Sequence, residues 1–313
     1  MKTKCVYVLV SNERDSYYEQ MLCSVYSLKL HNPQSTVLIV VDDGTAQSLA
    51  GKRSEIRRYV SDIVSIDVPN EYTQMQKSRY LKTNLRKFIE GDFLFIDTDT
   101  IIHSNLDEID NFDFEITAVP DAHVNIGQHK VKKRIYEWAK IGEWEVREDK
   151  PYFNSGVMYV KDTPMTHCFY EKWYYYWSKN YKKGLFKDQS SLAKADESMG
   201  YVIKEMNAVW NCQFIENGLK YMQDAKILHY YASRSKSPYL FGQKNYYSSI
   251  KENGKISEEI SYMLKNPTLA FLDDCVIMTG SEKELLTNIF RRVFSQDYPR
   301  TYKIIHKIKH PFS

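Results

Sequence analysis

Short apolar runs of strand length, separated by stretches of helical period, limit what this chain can fold into more than any other feature. Residues 5–10, 36–41, 63–68, 93–96 and 116–119 are continuous runs, mostly β-branched or aromatic, bounded by polar or turn residues. Strands without polar alternation are buried on both faces. Between them Tyr18, Met21, Leu22, Val25 and Leu28 keep a helical period, as do Met75, Leu81, Leu85, Phe88 and Ile89. Strands alternating with helices predict an α/β fold with a mostly parallel central sheet covered on both sides. In such a sheet ligands sit beyond the carboxyl ends of the strands. Those ends carry Ser11-Asn12, Asp42-Asp43-Gly44 and Asp97-Thr98-Asp99.

Further along, residues 152–161 read as another strand, about 169–181 as an aromatic helix, and a short helix opens at Asp188. Residues 226–231 form a last strand, and 257–264, 268–276 and 282–294 are helical in pattern. This divides the chain into a catalytic domain, 1–245, and a helical C-terminal extension, 246–313. Phe169, Trp173, Tyr176 and Trp177 follow helical period, which assigns them to packing rather than to a sugar-stacking platform.

Several classes are set aside. No Gly-x-Gly-x-x-Gly follows the first strand and no Gly-Lys-Ser/Thr loop occurs, so the usual glycine cradles for dinucleotides and ATP are missing. A balance of 43 basic against 40 acidic residues argues against a dedicated nucleic-acid binder. Five scattered cysteines without a Cys-x-x-Cys pair fit reduced thiols in a cytoplasmic setting. The apolar run at 5–10 is too short for a signal-peptide core, and nothing approaches the ~20 apolar residues of a spanning helix. The expectation is a soluble protein, or one held at the inner face of a membrane peripherally.

Asp97 and Asp99 follow four apolar residues and precede Ile101 and Ile102, so they stand at the mouth of a core strand. Like charges so close repel unless a cation joins them. A hard divalent ion accepts both carboxylates and also two oxygens of a diphosphate. The alternative is that Asp97 caps a turn and Asp99 is solvated. On the preceding helix Arg79, Lys82 and Arg86 share one face; they are either a solvated basic stripe or, for Arg79 and Lys82, partners of a diphosphate or carboxylate.

Ser78-Arg79-Tyr80-Leu81-Lys82, then Phe95-Ile96-Asp97-Thr98-Asp99, then Phe153-Asn154-Ser155-Gly156-Val157, then Asp188-Gln189, then His229, occur in an order and spacing that resemble the retaining glycosyltransferases of family 8, on the GT-A (Rossmann-like nucleotide-diphospho-sugar transferase) fold. The resemblance covers about residues 5–240. It implies a nucleotide-sugar donor, most often UDP-linked, and a Mn2+ (or Mg2+) ion on Asp97, Asp99 and His229. It further implies donor contacts from Val10, Ser11, Arg79, Lys82, Thr98 and Asp121, and catalytic roles around the transferred sugar for Asn154, Asp188 and Gln189. The acceptor would be a glycan or glycolipid. Read without the family, His229 is a hydrogen-bonded strand-end histidine, Asn154 satisfies a turn, and Asp188 is a helix N-cap. Where the family pattern places glycine three residues after the histidine and then Lys-Pro-Trp, this chain has Ala232 and a stretched Lys236-Ser237-Pro238-Tyr239, which leaves the phosphate contact of Lys236 open.

Rival readings are a nucleotidyltransferase, which would want a glycine-rich basic loop where residues 11–16 stand, and a non-catalytic sugar-nucleotide binder on the same fold. The tail from Phe290 to His310 interleaves basic with aromatic and aliphatic residues, the pattern either of a solvated helix or of a peripheral contact with anionic lipid.

Overall fold

The structure is a computed structural model that describes residues 1–231 and 237–272. Its nine strands are β1 (Lys4–Leu9), β2 (Val37–Asp42), β3 (Asp62–Ile66), β4 (Phe93–Ile96), β5 (Thr100–Ile102), β6 (Ile116–Asn125), β7 (Pro151–Val160), β8 (Lys204–Glu205) and β9 (Ile227–His229). Its α-helices are α1 (Tyr17–His31), α2 (Asp43–Ser48), α3 (Gln74–Thr83), α4 (Leu85–Phe88), α5 (Lys132–Gly142), α6 (Pro164–Lys182), α7 (Gln189–Ser198), α8 (Ser248–Asn253) and α9 (Glu258–Lys265).

Seven strands form one sheet in the order β3-β2-β1-β4-β7-β6-β8. β3, β2, β1 and β4 pair in parallel, and β6 and β8 do the same. β7 alone runs the other way, antiparallel to both β4 and β6. The result is the mixed, mostly parallel sheet of an α/β fold, and its reversed strand decides where the site lies.

Alternate side chains of the apolar runs go to opposite faces, which is why both must be apolar. Cys5, Tyr7 and Leu9 with Ile39, Val41, Leu94 and Ile96 build one core layer with α1; Val6, Val8 and Val10 with Phe93 and Phe95 build the other with Leu81, Phe169 and Trp173. Residues 247–270 add Tyr247, Ile250, Ile260, Leu264 and Ala270 to the first layer. Of the four aromatic residues at helical period, Phe169, Trp173 and Trp177 are buried and Tyr176 is half-buried against the same core.

The strand read at 226–231 is present as β9, which pairs antiparallel with β5 in a separate two-stranded sheet, Thr100 opposite His229. One expectation is corrected. The helical reading of 268–276 fails over its described part, where a single turn at Pro267–Leu269 is followed by Phe271 bridging to Tyr239; Pro267 starts the turn, and the bridge takes the chain out of helix. Ala232 and Lys236, the helix read at 282–294 and the basic tail from Phe290 lie outside the described residues. Among the described residues no helix is long and apolar enough to cross a membrane. Cys5, Cys23, Cys168 and Cys212 are free thiols.

Candidate active site

β4 ends at Ile96, and the next residue keeps one more bond to β7, the Asp97 N–H donating to the Gly156 carbonyl at 2.7 Å. The chain then crosses to the small sheet and re-enters regular structure at Thr100, whose hydroxyl donates to the Asp97 carbonyl at 2.9 Å. α1 clamps that crossing: Ser24 and Thr100 hydroxyls meet at 2.8 Å, and the Ile102 N–H donates to Ser27 at 2.9 Å. Asp97, Thr98 and Asp99 therefore occupy a tied connection between two sheets. Pairing of Thr100 with His229 brings the histidine alongside, and one ligand atom from each of Asp97, Asp99 and His229 falls within 4.8 Å of the others.

The protonation pattern around His229 follows from the ends of its hydrogen-bond chain. The Gly156 N–H can only donate and the Asp121 carboxylate only accepts, so Asn154 turns Oδ1 toward Gly156 (2.9 Å) and Nδ2 toward Asp121 (2.8 Å). Asn154 Oδ1 then accepts from Asn211 Nδ2 at 2.9 Å, which leaves Asn211 Oδ1 to accept from His229 Nδ1, also at 2.9 Å. With Nδ1 carrying the proton, Nε2 faces Asp99 at 3.3 Å. This is the arrangement of a metal-binding imidazole whose other nitrogen is held by a neighbour. Two carboxylates and an imidazole match Mn2+ or Mg2+; burial pushes Asp97 up, Lys82 opposes this and the Asp99 charge adds to the rise. Burial lowers His229, but Asp99 outweighs it and leaves the imidazole raised.

Gly156 makes room for the cluster. A Cβ there would lie 2.5 Å from His229 Cε1 and 2.9 Å from both Asp97 Oδ2 and Asn154 Oδ1.

A second group faces Asp97 from α3 and α7. Lys82, only 3% exposed, has Nζ 3.2 Å from Asp97 Oδ1, 3.2 Å from Ser155 Oγ and 3.5 Å from Asp188 Oδ2. Arg79 Nε stands 2.9 Å from Asp188 Oδ1, and the Ser155 hydroxyl donates to Asp188 at 2.9 Å. Burial would raise Asp188, but Lys82, Arg79 and Ser155 overcome it and hold the carboxyl well below the usual range. Asp188 stands at the N-cap position of α7, as read, but its carboxylate makes no cap bond and is turned toward these cations instead. Burial would raise Asp121, but His129 and Asn154, with Gln189, hold its carboxyl low.

Arg86 does not join them. Asn84 separates α3 from α4, and the Arg86 guanidinium turns inward to the carbonyls of Ile89 and Gly91 and to Asp162. It anchors the approach to β4.

Asp121 stands where β6 loses register with β7. The next residues, Ala122 and His123, both have φ of 56°, and Tyr231, whose hydroxyl is 3.2 Å from Asn154 Nδ2, has φ of 52°. Non-glycine residues in this region cost about 1–3 kcal/mol each and persist where surroundings impose them. Gln213 does so here: its side chain accepts from the Ala122 N–H at 2.7 Å and donates to Pro120 at 3.1 Å. His129 adds a 3.1 Å contact to Asp121.

Val10 and Ser11 lie in a different cluster at the ends of β1 and β2. The Ser11 hydroxyl donates to Asp15 at 2.7 Å and accepts from Arg53 at 2.6 Å, its N–H donates to Thr45 at 3.0 Å, and Lys77 pairs with Asp42 at 2.9 Å. α3 links the two clusters, with Lys77 in one and Arg79 and Lys82 in the other. Thr98 is half-buried between the two aspartates. Asn211, Gln213 and Ser155 were not singled out by sequence reasoning. Ser155 lies inside the Phe-Asn-Ser-Gly motif, whereas Asn211 and Gln213 offer only two amides flanking Cys212.

The model for glycosyl transferase family 8 matches residues 8–237, and the chain belongs to that family. Comparison with curated protein sequences gives no match. Among solved structures, the WbbM bifunctional glycosyltransferase is similar with a TM-score of 0.55 at 15% identity, over 83% of this chain and 51% of its own. This chain thus spans about half the length of that enzyme. The galactosyltransferase LgtC, solved with donor and acceptor sugar analogues, is similar with a TM-score of 0.53 at 15% identity, over 83% of this chain and 99% of its own. These likenesses concern the fold.

Proposed function

We propose that the chain is a divalent-metal-dependent hexosyltransferase that moves a sugar from a nucleotide diphosphate, UDP foremost, to a hydroxyl of a glycan or glycolipid with retention of configuration. The observation that carries this is the Asp97, Asp99 and His229 cluster, with His229 Nδ1 fixed by Asn211 so that Nε2 is presented to the aspartates. A Mn2+ or Mg2+ ion held there supplies positive charge against the diphosphate as it leaves. In the transfer the bond from the anomeric carbon to the phosphate oxygen breaks, the acceptor oxygen bonds to that carbon, and the acceptor proton passes to the departing phosphate.

The chain's own groups divide the remaining work. Val10 and Ser11 receive the nucleoside, with Thr98 and Asp121 as further donor contacts. Arg79 and Lys82 oppose the diphosphate charge. Asn154, Asp188 and Gln189 orient the sugar. Burial of the reduced thiols Cys5, Cys23 and Cys212 agrees with a cytoplasmic site of action.

A screen of nucleotide sugars for Mn2+-dependent release of nucleotide diphosphate tests this, followed by the anomeric configuration of the product. Release that survives a chelator, or in Asp99→Asn, defeats the metal assignment; binding of nucleotide sugars with no turnover for any acceptor leaves a binding protein; an inverted product defeats retention.

A further inference from the structure

Charge is balanced over the whole chain, 43 basic against 40 acidic residues, but not over two neighbouring helices and the loop after them, where Glu148 nonetheless meets Lys132 and Tyr136. α5, α6 and residues 183–187 carry nine lysines and arginines against Glu137 and Glu171, with Glu143 just beyond α5. The same segments hold four of the nine large apolar side chains exposed among the described residues: Tyr136, Ile141, Tyr175 and Phe186. Lys183 binds the α5 segment to the loop through the Ile141 carbonyl (3.2 Å) and Glu143. Among the described residues Lys140, Lys179, Lys182 and Lys187 make no ion pair.

Residues 183–187 are built to present Phe186. Gly184 turns the chain at φ of 84°, Leu185 is buried, and the Trp177 indole donates to the Phe186 carbonyl at 3.4 Å. The Phe186 ring leans on Tyr181 at 4.9 Å between centroids and still stands 46% exposed, with Lys182, Lys183 and Lys187 beside it in sequence.

We propose that this face is an interaction surface for an anionic lipid bilayer, with Phe186, Ile141 and Tyr175 entering the headgroup region and the surrounding lysines meeting lipid phosphates. Charge complementarity selects an anionic partner. The apolar side chains select a bilayer over a soluble polyanion, because a polyanion offers them nothing to enter, whereas the lipid interface accommodates rings and lysine ammonium groups together. The position has a consequence for the chemistry: Phe186 is two residues from Asp188, at most ~7 Å along the backbone, so a bilayer meeting the loop lies beside the segment that leads into the site. The inference does not rest on the transferase reading, since binding is measured without turnover.

The test is co-sedimentation of the full chain with phosphatidylcholine vesicles with and without phosphatidylglycerol, at low and high salt. Binding is expected only to the anionic vesicles and only at low salt. Lys179→Gln with Lys182→Gln should lower the partition coefficient about thirtyfold, since each basic residue contributes about fivefold at such a surface. Phe186→Ser should lower it about tenfold through lost apolar contact, and Phe186→Trp should show blue-shifted emission on anionic vesicles. Far-ultraviolet dichroism and thermal melts confirm that each variant folds. Failure of the unaltered chain to bind, equal binding by all variants, or binding to soluble polyphosphate without binding to vesicles overturns the proposal.

Discussion

The two halves of the main sheet put their polar residues to use in different ways. In the parallel half, β3-β2-β1-β4, the interiors of β1, β2 and β4 are apolar and chemistry appears only at the last residue of the strand or beyond it, at Ser11, Asp42 and Asp97. In the half built on the reversed β7, functional side chains sit inside the strand: Asn154, Ser155 and Gly156 lie mid-strand, where Asn154 pairs with Val119 of β6 and the next residue, Val157, meets Ile96 at the end of β4. A strand can carry polar groups in its interior only if each is matched, which here requires a register shift, two left-handed residues after Asp121, and the amides of Asn211 and Gln213. The parallel half is tolerant at its ends; the reversed half is fully interlocked.

The largest effect should separate the clusters directly. Asp99→Asn is expected to lower turnover about a thousandfold, as loss of a principal electrostatic element does, with the thermal midpoint unchanged or slightly raised because repulsion with Asp97 is relieved. Ser11→Ala, at the open end of β1, should cost less than tenfold on the same scale. Equal losses in the two variants would erase the distinction between the halves. Next comes a pair of glycines. Gly156→Ala drives a methyl against His229 and Asp97, so activity should collapse and stability fall by about 1–3 kcal/mol. At Gly44, in α2, the nearest atom to an added Cβ is Asp42 Oδ2 at 3.5 Å, and Gly44→Ala should be neutral or stabilising by up to ~1 kcal/mol. Chemical denaturation of both variants measures this.

What the sequence revealed follows the same division. β1, β2 and β4 were legible because burial on both faces leaves an uninterrupted apolar run, and the end of β4 pointed to Asp97 and Asp99; β3 lies half-exposed at the sheet edge. The reversal of β7 was not, since an apolar run carries no sign of its direction. Nor was the fate of Arg86: its spacing matches the Arg79 and Lys82 face, but Asn84 ends α3 and turns it into the core. Lys77 was passed over because its partner, Asp42, is a strand away. Asn211 was invisible, because an amide that orients a histidine 18 residues further on has no local pattern.

Asn211 also provides the next measurement. Asn211→Leu removes the acceptor for His229 Nδ1 and the donor to Asn154 in one step, and partners of this kind typically contribute 10- to 100-fold to metal affinity. Mn2+ binding followed by electron paramagnetic resonance should weaken by that factor while the fold is retained. Unchanged affinity would show that β9 alone orients the imidazole, and that the reversed half is less interlocked than its hydrogen bonds indicate.

The smallest effect compares one carboxyl from each half. Asp42, at the end of β2, would be raised by burial but is held low by the Thr45 hydroxyl and Lys77. Asp196, on the α7 helix that covers β7, is pushed up to about 6 by burial, and backbone N–H groups, Ile203 among them, only partly offset this. The signs of their pH dependence must therefore be opposite. Asp42 binds a proton less readily folded than unfolded, so its contribution is present above an unfolded pKa of about 3.9 and is lost as pH falls through the lower folded value. Asp196 binds a proton more readily folded, so its contribution is complete below about 3.9 and is lost as pH rises through about 6. Asp196→Asn keeps an oxygen for the Ile203 N–H, which lies 2.9 Å from Asp196 Oδ1, and removes the buried charge. It should stabilise the fold by about 1–3 kcal/mol at pH 7.5 and leave it unchanged at pH 3.5. Asp42→Asn should instead cost up to ~1 kcal/mol at pH 7.5, with the difference shrinking in acid. Thermal melts of the two variants against pH would show diverging curves; parallel ones would mean that Asp196 finds a charge partner in solution.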